Sequence, residues 1–502
     1  VRAGLGASLS HLEAFPHHVR DRSAPGRCFG WHGFRIFTSF GFSEILIFSG
    51  ARAMKDTEGR WARRRSALEA DPVREVVEPS KAGHAASGPS PTARVESASD
   101  LRRRIHSTAL AFRGFDVENA GRGLEFLEHP RYGPTVARFL DEAGTLCAEA
   151  IHRPVDLRAH LRSGPRLALE AFPEDVALIV ALELAQLSIL EECFDVPTHQ
   201  ARLSFGYSIG ELGALVHSGV FTLEQLLPIP LALAPDCAEL ASDLTMGVLF
   251  TKGPYLAMDE VERLCRAISS EGKGLIGPSA FLSPNTALIL GQGNTIARLD
   301  EVKGELASSR GNKVMLRRNA NRWPPLHSPL VWRRHIPNRA AVALYQTEGG
   351  TRRPSPIILS CVTGDAPYDG HRSREVLTDW TDHPQRLWDV IDRTLAMGAE
   401  VVVHVGPRPN LIPATFSRLS TNVLRHQGNR TLRMLGRGVV SGLNHGAWLA
   451  RMLPSSATLL RAPYLSHVIL EDWLLAQPLP PTSVGFAGVG ETTIVSAPVT
   501  AP

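Results

Sequence analysis

Residues 206–211 read Gly-Tyr-Ser-Ile-Gly-Glu, and this hexapeptide constrains the fold of the 502-residue chain more than any other segment. A serine flanked two residues away on either side by glycine suits a sharp strand-to-helix turn. The small flanking residues let strand and helix approach closely, and the serine is forced into a strained backbone conformation with its hydroxyl above a sheet edge. The flanking sequence agrees: 201–205 is a short apolar strand candidate, and Leu212, Leu215 and Val216 continue at helical spacing. The helix N-terminus that follows aims N–H groups and a positive dipole end at whatever oxygen reacts there. A helix-capping serine in a glycine-rich turn would leave the same pattern, so the segment needs support from the rest of the chain.

That support comes from periodicity. Short apolar runs at 109–112, 201–205, 287–290, 314–316, 357–361 and 401–405 read as strands. Helical spacing covers 124–151, 176–192, 295–308 and 384–397, and 176–192 is so apolar that it must be largely buried. Strands alternating with helices predict an α/β fold, a parallel sheet with covering helices. Apolar residues at 43% and charged residues at 21% supply a core of that size. A net charge of +4 calls for neither nucleic acid nor membrane as a partner, and the sequence has no apolar run of spanning length. Six scattered cysteines form no CxxC or Cys/His cluster, so neither a metal site nor a disulfide framework is expected, and a reducing cytoplasm is the simplest home. Residues 1–100, with an Arg-rich patch and then a Ser/Pro/Ala/Gly-rich stretch at 81–99, read as a poorly ordered or spurious extension. A domain over 101–425, a helical extension over 426–477 and a disordered tail over 478–502 complete the expected organisation.

Ser208 needs a base to attack a carbonyl carbon. Of nineteen histidines, His327 lies in the rigid, proline-bracketed segment Pro325-Leu326-His327-Ser328-Pro329-Leu330, which suits a ring that must stay within hydrogen-bond reach. An ordinary loop histidine is the alternative reading. An esterase would need an aspartate before a late histidine, and His404, His426 and His445 offer no such setting. His217, on the helix after the turn, is not expected to be catalytic. Gly291-Gln292-Gly293 lacks a full nucleotide-binding fingerprint and reads as a turn. The backbone N–H of Ile209, next after the nucleophile, is the expected oxyanion donor.

GYSIGE at 206–211, PLHSPL at 325–330 and VHVGPRPNL at 403–411 stand in the order of three motifs of the malonyl-CoA:acyl-carrier-protein transacylase family. About 120 residues separate serine from histidine, and the chain resembles that family, as a divergent member, over roughly 108–420. The resemblance implies an α/β-hydrolase-like large subdomain with a ferredoxin-like small subdomain inserted at about 245–322. It implies a Ser208–His327 dyad whose histidine is oriented by a backbone carbonyl, with the Val405–Gly406 loop as the candidate. It also places the second oxyanion N–H on Phe115, in a loop that has lost the family's G-Q-G-S-Q signature, and gives Glu211 a structural role.

The activity so implied is ping-pong acyl transfer. Acyl-CoA is the donor substrate, the phosphopantetheine thiol of an acyl carrier protein is the acceptor, and no bound cofactor is needed, as in fatty-acid or polyketide assembly. Lys313, Arg317, Arg318 and Arg322 are the candidate docking face for an acidic carrier. The family's malonate-binding arginine has no counterpart: Leu233 stands near its position, and no Lys or Arg occurs between Arg202 and Lys252. An uncharged acyl group, a cation reaching in from Arg408 or Arg322, or a change to thioester hydrolysis are three ways to read that loss. A catalytically dead partner of a synthase is a fourth possibility.

Overall fold

The computed structural model describes residues 94–164, 169–251, 256–306, 313–319, 321–435 and 457–478. The expected extension up to residue 93 and the expected tail from 479 lie outside them.

Five short strands form one sheet in the order β7-β2-β1-β8-β9, every neighbouring pair parallel. They are β1 (Thr108–Phe112), β2 (Leu203–Gly206), β7 (Ile358–Leu359), β8 (Val401–Val405) and β9 (Ser466–Ile469). Every residue of β1, β2, β7 and β8 is buried, as expected of a parallel sheet covered on both faces. Successive side chains alternate between two cores. Leu110, Phe112, Val401, Val403 and Val405 pack on one side with the long helices. Ala109, Ala111, Leu203, Phe205 and Val402 pack on the other, against Leu387, Ile391 and Phe416.

The helix Phe172–Phe194 is the apolar one expected from sequence. Pro173 sits in its first turn with Glu174 and Asp175, and Asp195 closes it in the left-handed conformation. The helix expected at 124–151 is two, Gly123–Glu128 and Gly133–Ile151. The break falls around Pro130, which cannot donate to the helical ladder and pushes the residue before it out of the helical region. The stretch 426–477, expected to be helical, also supplies the edge strand β9, paired with β8 from Val401↔Ser466 to His404↔Ile469.

Between β2 and β7 the chain builds a second sheet, order β4-β5-β3-β6 and antiparallel throughout. Its elements run β3 (Leu244–Thr251), helix Met258–Ser270, β4 (Ile276–Ser283), β5 (Thr286–Gln292), helix Thr295–Val302 and β6 (Val314–Asn319). This βαββαβ order is the ferredoxin-like arrangement, inserted between serine and histidine. It has its own core around Leu249, Val261, Ile289 and Leu299. The last helix is shorter than the expected 295–308, passing into a single 3-10 turn at Lys303–Glu305.

Candidate active site

The C-terminal edge of a parallel sheet is where ligands bind in open α/β folds, because the strands end there and the following helices begin. Strands β1, β2 and β8 deliver Gly114, Ser208 and Gly406 to that edge. The turn after β2 is as tight as the sequence suggests. A Cβ on Gly206 would lie 2.0 Å from the Gly210 carbonyl carbon, and one on Gly210 would lie 2.2 Å from the Arg113 carbonyl oxygen. Both positions therefore demand glycine for space alone. Ser208 between them has φ +56°, a left-handed conformation costly for a residue with a Cβ.

His327 is brought to Ser208 by the segment after the antiparallel sheet. Its Nε2 lies 2.7 Å from Ser208 Oγ, and its Nδ1 lies 2.7 Å from the backbone oxygen of Trp380. A carbonyl can only accept, so the proton is assigned to Nδ1 and the lone pair to Nε2, facing the serine hydroxyl. The helix Ser373–Asp379 ends at Trp380, whose carbonyl is one of the orphans of a helix terminus and is free to accept. Trp380 also packs its ring edgewise on the imidazole at 4.9 Å and donates its indole N–H to Ser208 O at 3.1 Å. His327 is 4% exposed, and burial pulls its pKa from the ordinary 6.5 down to about 4, with the Trp380 bond acting in the opposite direction. The ring is therefore neutral, with an available lone pair, throughout the physiological range.

The orienting carbonyl is thus not on the Val405–Gly406 loop. Val405 O accepts the Arg113 N–H at 3.2 Å, and Gly406 N–H donates to Gln186 Oε1 at 2.8 Å, so both are engaged on the far side of β1 and β8. Sequence carried no signal for Trp380, because any residue can supply a carbonyl. Gln385, fully buried with Oε1 accepting from Ser208 N–H at 3.0 Å, was equally hidden in a run read as a helix start.

Ile209 and Phe115 lie where the sequence placed them, after β2 and after β1. Among the described residues, neither backbone N–H donates a hydrogen bond within the protein. In place of the lost loop signature stands Arg113, fully buried, whose Nε donates to Gly114 O at 2.7 Å and Nη2 to Asn119 Oδ1 at 2.9 Å. The bond to Gly114 O fixes the Gly114–Phe115 peptide plane, and hence the direction of the Phe115 N–H. The Phe115 ring packs edgewise on Phe172 and on Trp323.

Glu211 is fully buried and ties the helix to the loop after β7. Its carboxylate accepts from Tyr368 Oη at 2.6 Å and from Cys361 N–H at 3.1 Å. Burial pushes its pKa up to about 7, against the lowering effect of these bonds. His217 is half-buried, its ring tilted against Phe112 with centroids 6.1 Å apart and its Nε2 unpartnered.

The cations considered for a carboxylate partner are placed elsewhere. Arg408 pairs with Glu471 at 3.2 Å and with Asp472 at 3.1 Å, on the C-terminal helix Leu470–Ala476. Arg322 is exposed, and Leu233 is buried in the apolar core with Leu231 and Ala234. Lys313, Arg317 and Arg318 are exposed on and beside β6, the open edge of the antiparallel sheet.

Solved structures share this architecture. The chain is similar to FabD from Acinetobacter baumannii, with a TM-score of 0.51 at 19% identity, over 62% of this chain and 90% of that one. It is similar to the malonyl-CoA:acyl carrier protein transacylase (FabD) of Xanthomonas oryzae pv. oryzae, with a TM-score of 0.49 at 21% identity over 62% and 90% of the two chains. An acyl carrier protein S-malonyltransferase from Vibrio cholerae gives 0.49 at 20% identity over 62% and 92%. The chain thus has the mixed α/β fold seen in FabD, at low sequence identity. No protein-family model matches it. No curated protein matches it either.

Proposed function

We propose that this chain is an acyl-carrier-protein S-acyltransferase that works through an ester on Ser208. The observation that carries the reading is the 2.7 Å contact between Ser208 Oγ and the unprotonated face of a buried His327. Ser208 Oγ attacks the thioester carbon of an acyl-CoA while its proton passes to His327 Nε2. The oxygen that gains negative charge lies toward the N–H groups of Ile209 and Phe115, which no acceptor among the described residues occupies. Collapse breaks the C–S bond, and the CoA sulfur leaves with the proton from Nε2. The phosphopantetheine thiol of a carrier protein then repeats the sequence on the seryl ester, returning the serine.

An uncharged acyl group, acetyl or a longer alkyl chain, suits this site better than malonate. The helix Pro228–Leu240 offers Leu233 in an apolar core, and Arg408 is already neutralised by two carboxylates. Burying a free carboxylate without a partner costs several kcal/mol.

The test is intact-mass spectrometry of the protein with acetyl-, malonyl- and medium-chain acyl-CoA, followed by holo-carrier protein. An acyl increment that moves to the carrier supports transfer. An increment that decays equally fast without a carrier identifies a thioester hydrolase. No increment with any donor identifies a protein that does not use acyl-CoA.

The exposed Arg317 and Arg318 on β6, with Lys313 and Arg322 beside them, are the proposed docking face for an acidic carrier. Replacing both Arg317 and Arg318 by Glu is expected to raise the KM for carrier about five- to tenfold and flatten its salt dependence, with acylation by acyl-CoA unchanged. Steady-state kinetics at two ionic strengths would show this. An unchanged carrier KM removes β6 from the docking surface.

A further inference from the structure

Gln385 links the antiparallel sheet, whose Ala280 and Leu282 already pack into the core beneath the parallel sheet, to the reacting pair. Its main chain belongs with the antiparallel sheet. Gln385 N–H donates to Ser279 O at 2.9 Å and Phe281 N–H donates to Gln385 O at 2.8 Å, a parallel bridge opposite Ala280 in β4. Its side chain belongs with the dyad. Oε1 accepts from Ser208 N–H at 3.0 Å, and Nε2 lies 3.1 Å from His327 Nδ1. Strand β4 grips the base's segment at two further points. Ser279 Oγ donates to Leu326 O at 3.2 Å, and Pro329 packs on Gly277, where a Cβ would lie 2.6 Å from the proline ring.

We infer that Gln385 is a positioning residue for the acyl-transfer site: its Oε1 holds the nucleophile's backbone in register with a base whose segment β4 grips at Leu326 and Pro329, while its NH₂, a donor facing the protonated Nδ1, bounds the ring without bonding to it. The inference rests on the reading of Ser208 and His327 as the reacting pair. Three consequences follow from the chemistry of the amide. The Ser208 N–H is a donor, so the atom facing it must be the oxygen, and the flip of Gln385 is fixed with its NH₂ toward the imidazole. The Ser208 N–H is thereby occupied, which leaves Ile209 and Phe115 for the oxyanion. The positive end of the amide dipole faces the ring and disfavours the imidazolium, in the same direction as burial. Burial lowers the His327 pKa and the bond to the Trp380 carbonyl raises it.

The same connections make the small sheet a lever on the chemistry. Carrier binding at β6 loads a sheet whose far strand, β4, holds both Gln385 and Leu326. A displacement of β4 therefore changes the Ser208–His327 geometry directly.

The test uses the full chain and a fluorophosphonate probe, which needs no knowledge of the acyl group. Ser208 Oγ bonds to phosphorus, fluoride leaves, and the serine proton passes to His327 Nε2. The rate of labelling is followed by mass spectrometry from mildly acidic to mildly alkaline pH. Gln385→Leu is expected to slow labelling about ten- to a hundredfold at every pH, because the Ser208 N–H loses its acceptor. Gln385→Glu keeps the side-chain shape and the acceptor for Ser208, but sets a carboxylate beside Nδ1. It is expected to move the acid limb of the labelling profile up by roughly one to three pH units. A packing role alone would not shift that limb, and Gln385→Glu remains readable where the leucine variant unfolds. Ser208 labelling in the wild type with wild-type rates and limbs in both variants overturns the inference. Wild-type labelling at a site other than Ser208 overturns the dyad reading, and this inference with it.

Discussion

Ser208→Ala is expected to abolish the acyl adduct and to lower acyl transfer by about 10⁴-fold or more, while leaving the fold intact. The loss follows from chemistry, since among the described residues no other hydroxyl stands at His327 Nε2. The retention of the fold follows from the backbone. Ser208 sits at φ +56°, a conformation that the surrounding structure imposes. Its N–H is held by Gln385, and its carbonyl accepts from the Trp380 indole and from Glu211 N–H at 3.0 Å. Alanine keeps a Cβ at the same φ, so its melting temperature should match that of the wild type. Glycine pays no steric penalty there, so Ser208→Gly should be more stable than Ser208→Ala, with about 1 kcal/mol of strain released against a smaller entropic loss in the unfolded chain. Thermal melts and intact mass on the two variants measure both halves. A persistent acyl adduct in Ser208→Ala would place the nucleophile elsewhere.

How far the site could be read from sequence depended on whether its chemistry needs a particular side chain. The turn at 206–211 was legible because only glycine fits at Gly206 and Gly210 and only a hydroxyl serves between them. His327 and the inserted sheet became legible only through the resemblance carried by the ordered motifs at 206–211, 325–330 and 403–411, since the proline-bracketed segment alone fits an ordinary loop histidine and the runs at 287–290 and 295–308 alone do not mark an insertion. The carbonyl that orients the base was not legible, because Trp380 offers a backbone atom common to every residue. Gln385 was hidden for a different reason. It lies between Pro384 and an amphipathic run, where a polar residue ordinarily marks the solvated first turn of a helix, yet it is fully buried by tertiary contacts with β4 and Ser208. Strand β9 was missed because four residues, Ser466–Ile469, carry too little pattern to outweigh the helical texture around them. Arg113 carried no signal in sequence, because its burial depends on carbonyls and Asn119 that no local pattern reveals.

His327→Gln is expected to cost transfer about as much as loss of the serine, and also to change how stability depends on pH. The wild-type ring is buried neutral with a pKa of about 4, whereas an unfolded histidine titrates near 6.5. Between these values the unfolded chain binds a proton that the folded chain refuses. Stability therefore rises with pH across this window. The contribution of His327 is complete above about 6.5 and is lost as pH falls toward 4, in total roughly 3 kcal/mol. His217, with a pKa of about 4, and His404, held well below its ordinary value, are depressed by burial in the same direction and add to the slope. Urea midpoints measured from neutral to mildly acidic pH would show the wild type losing stability steeply and His327→Gln less so, the slopes differing by about one proton. Equal slopes would mean that the folded protein also protonates His327 in this window. The neutral-base step would then need a different donor of the lone pair to Ser208.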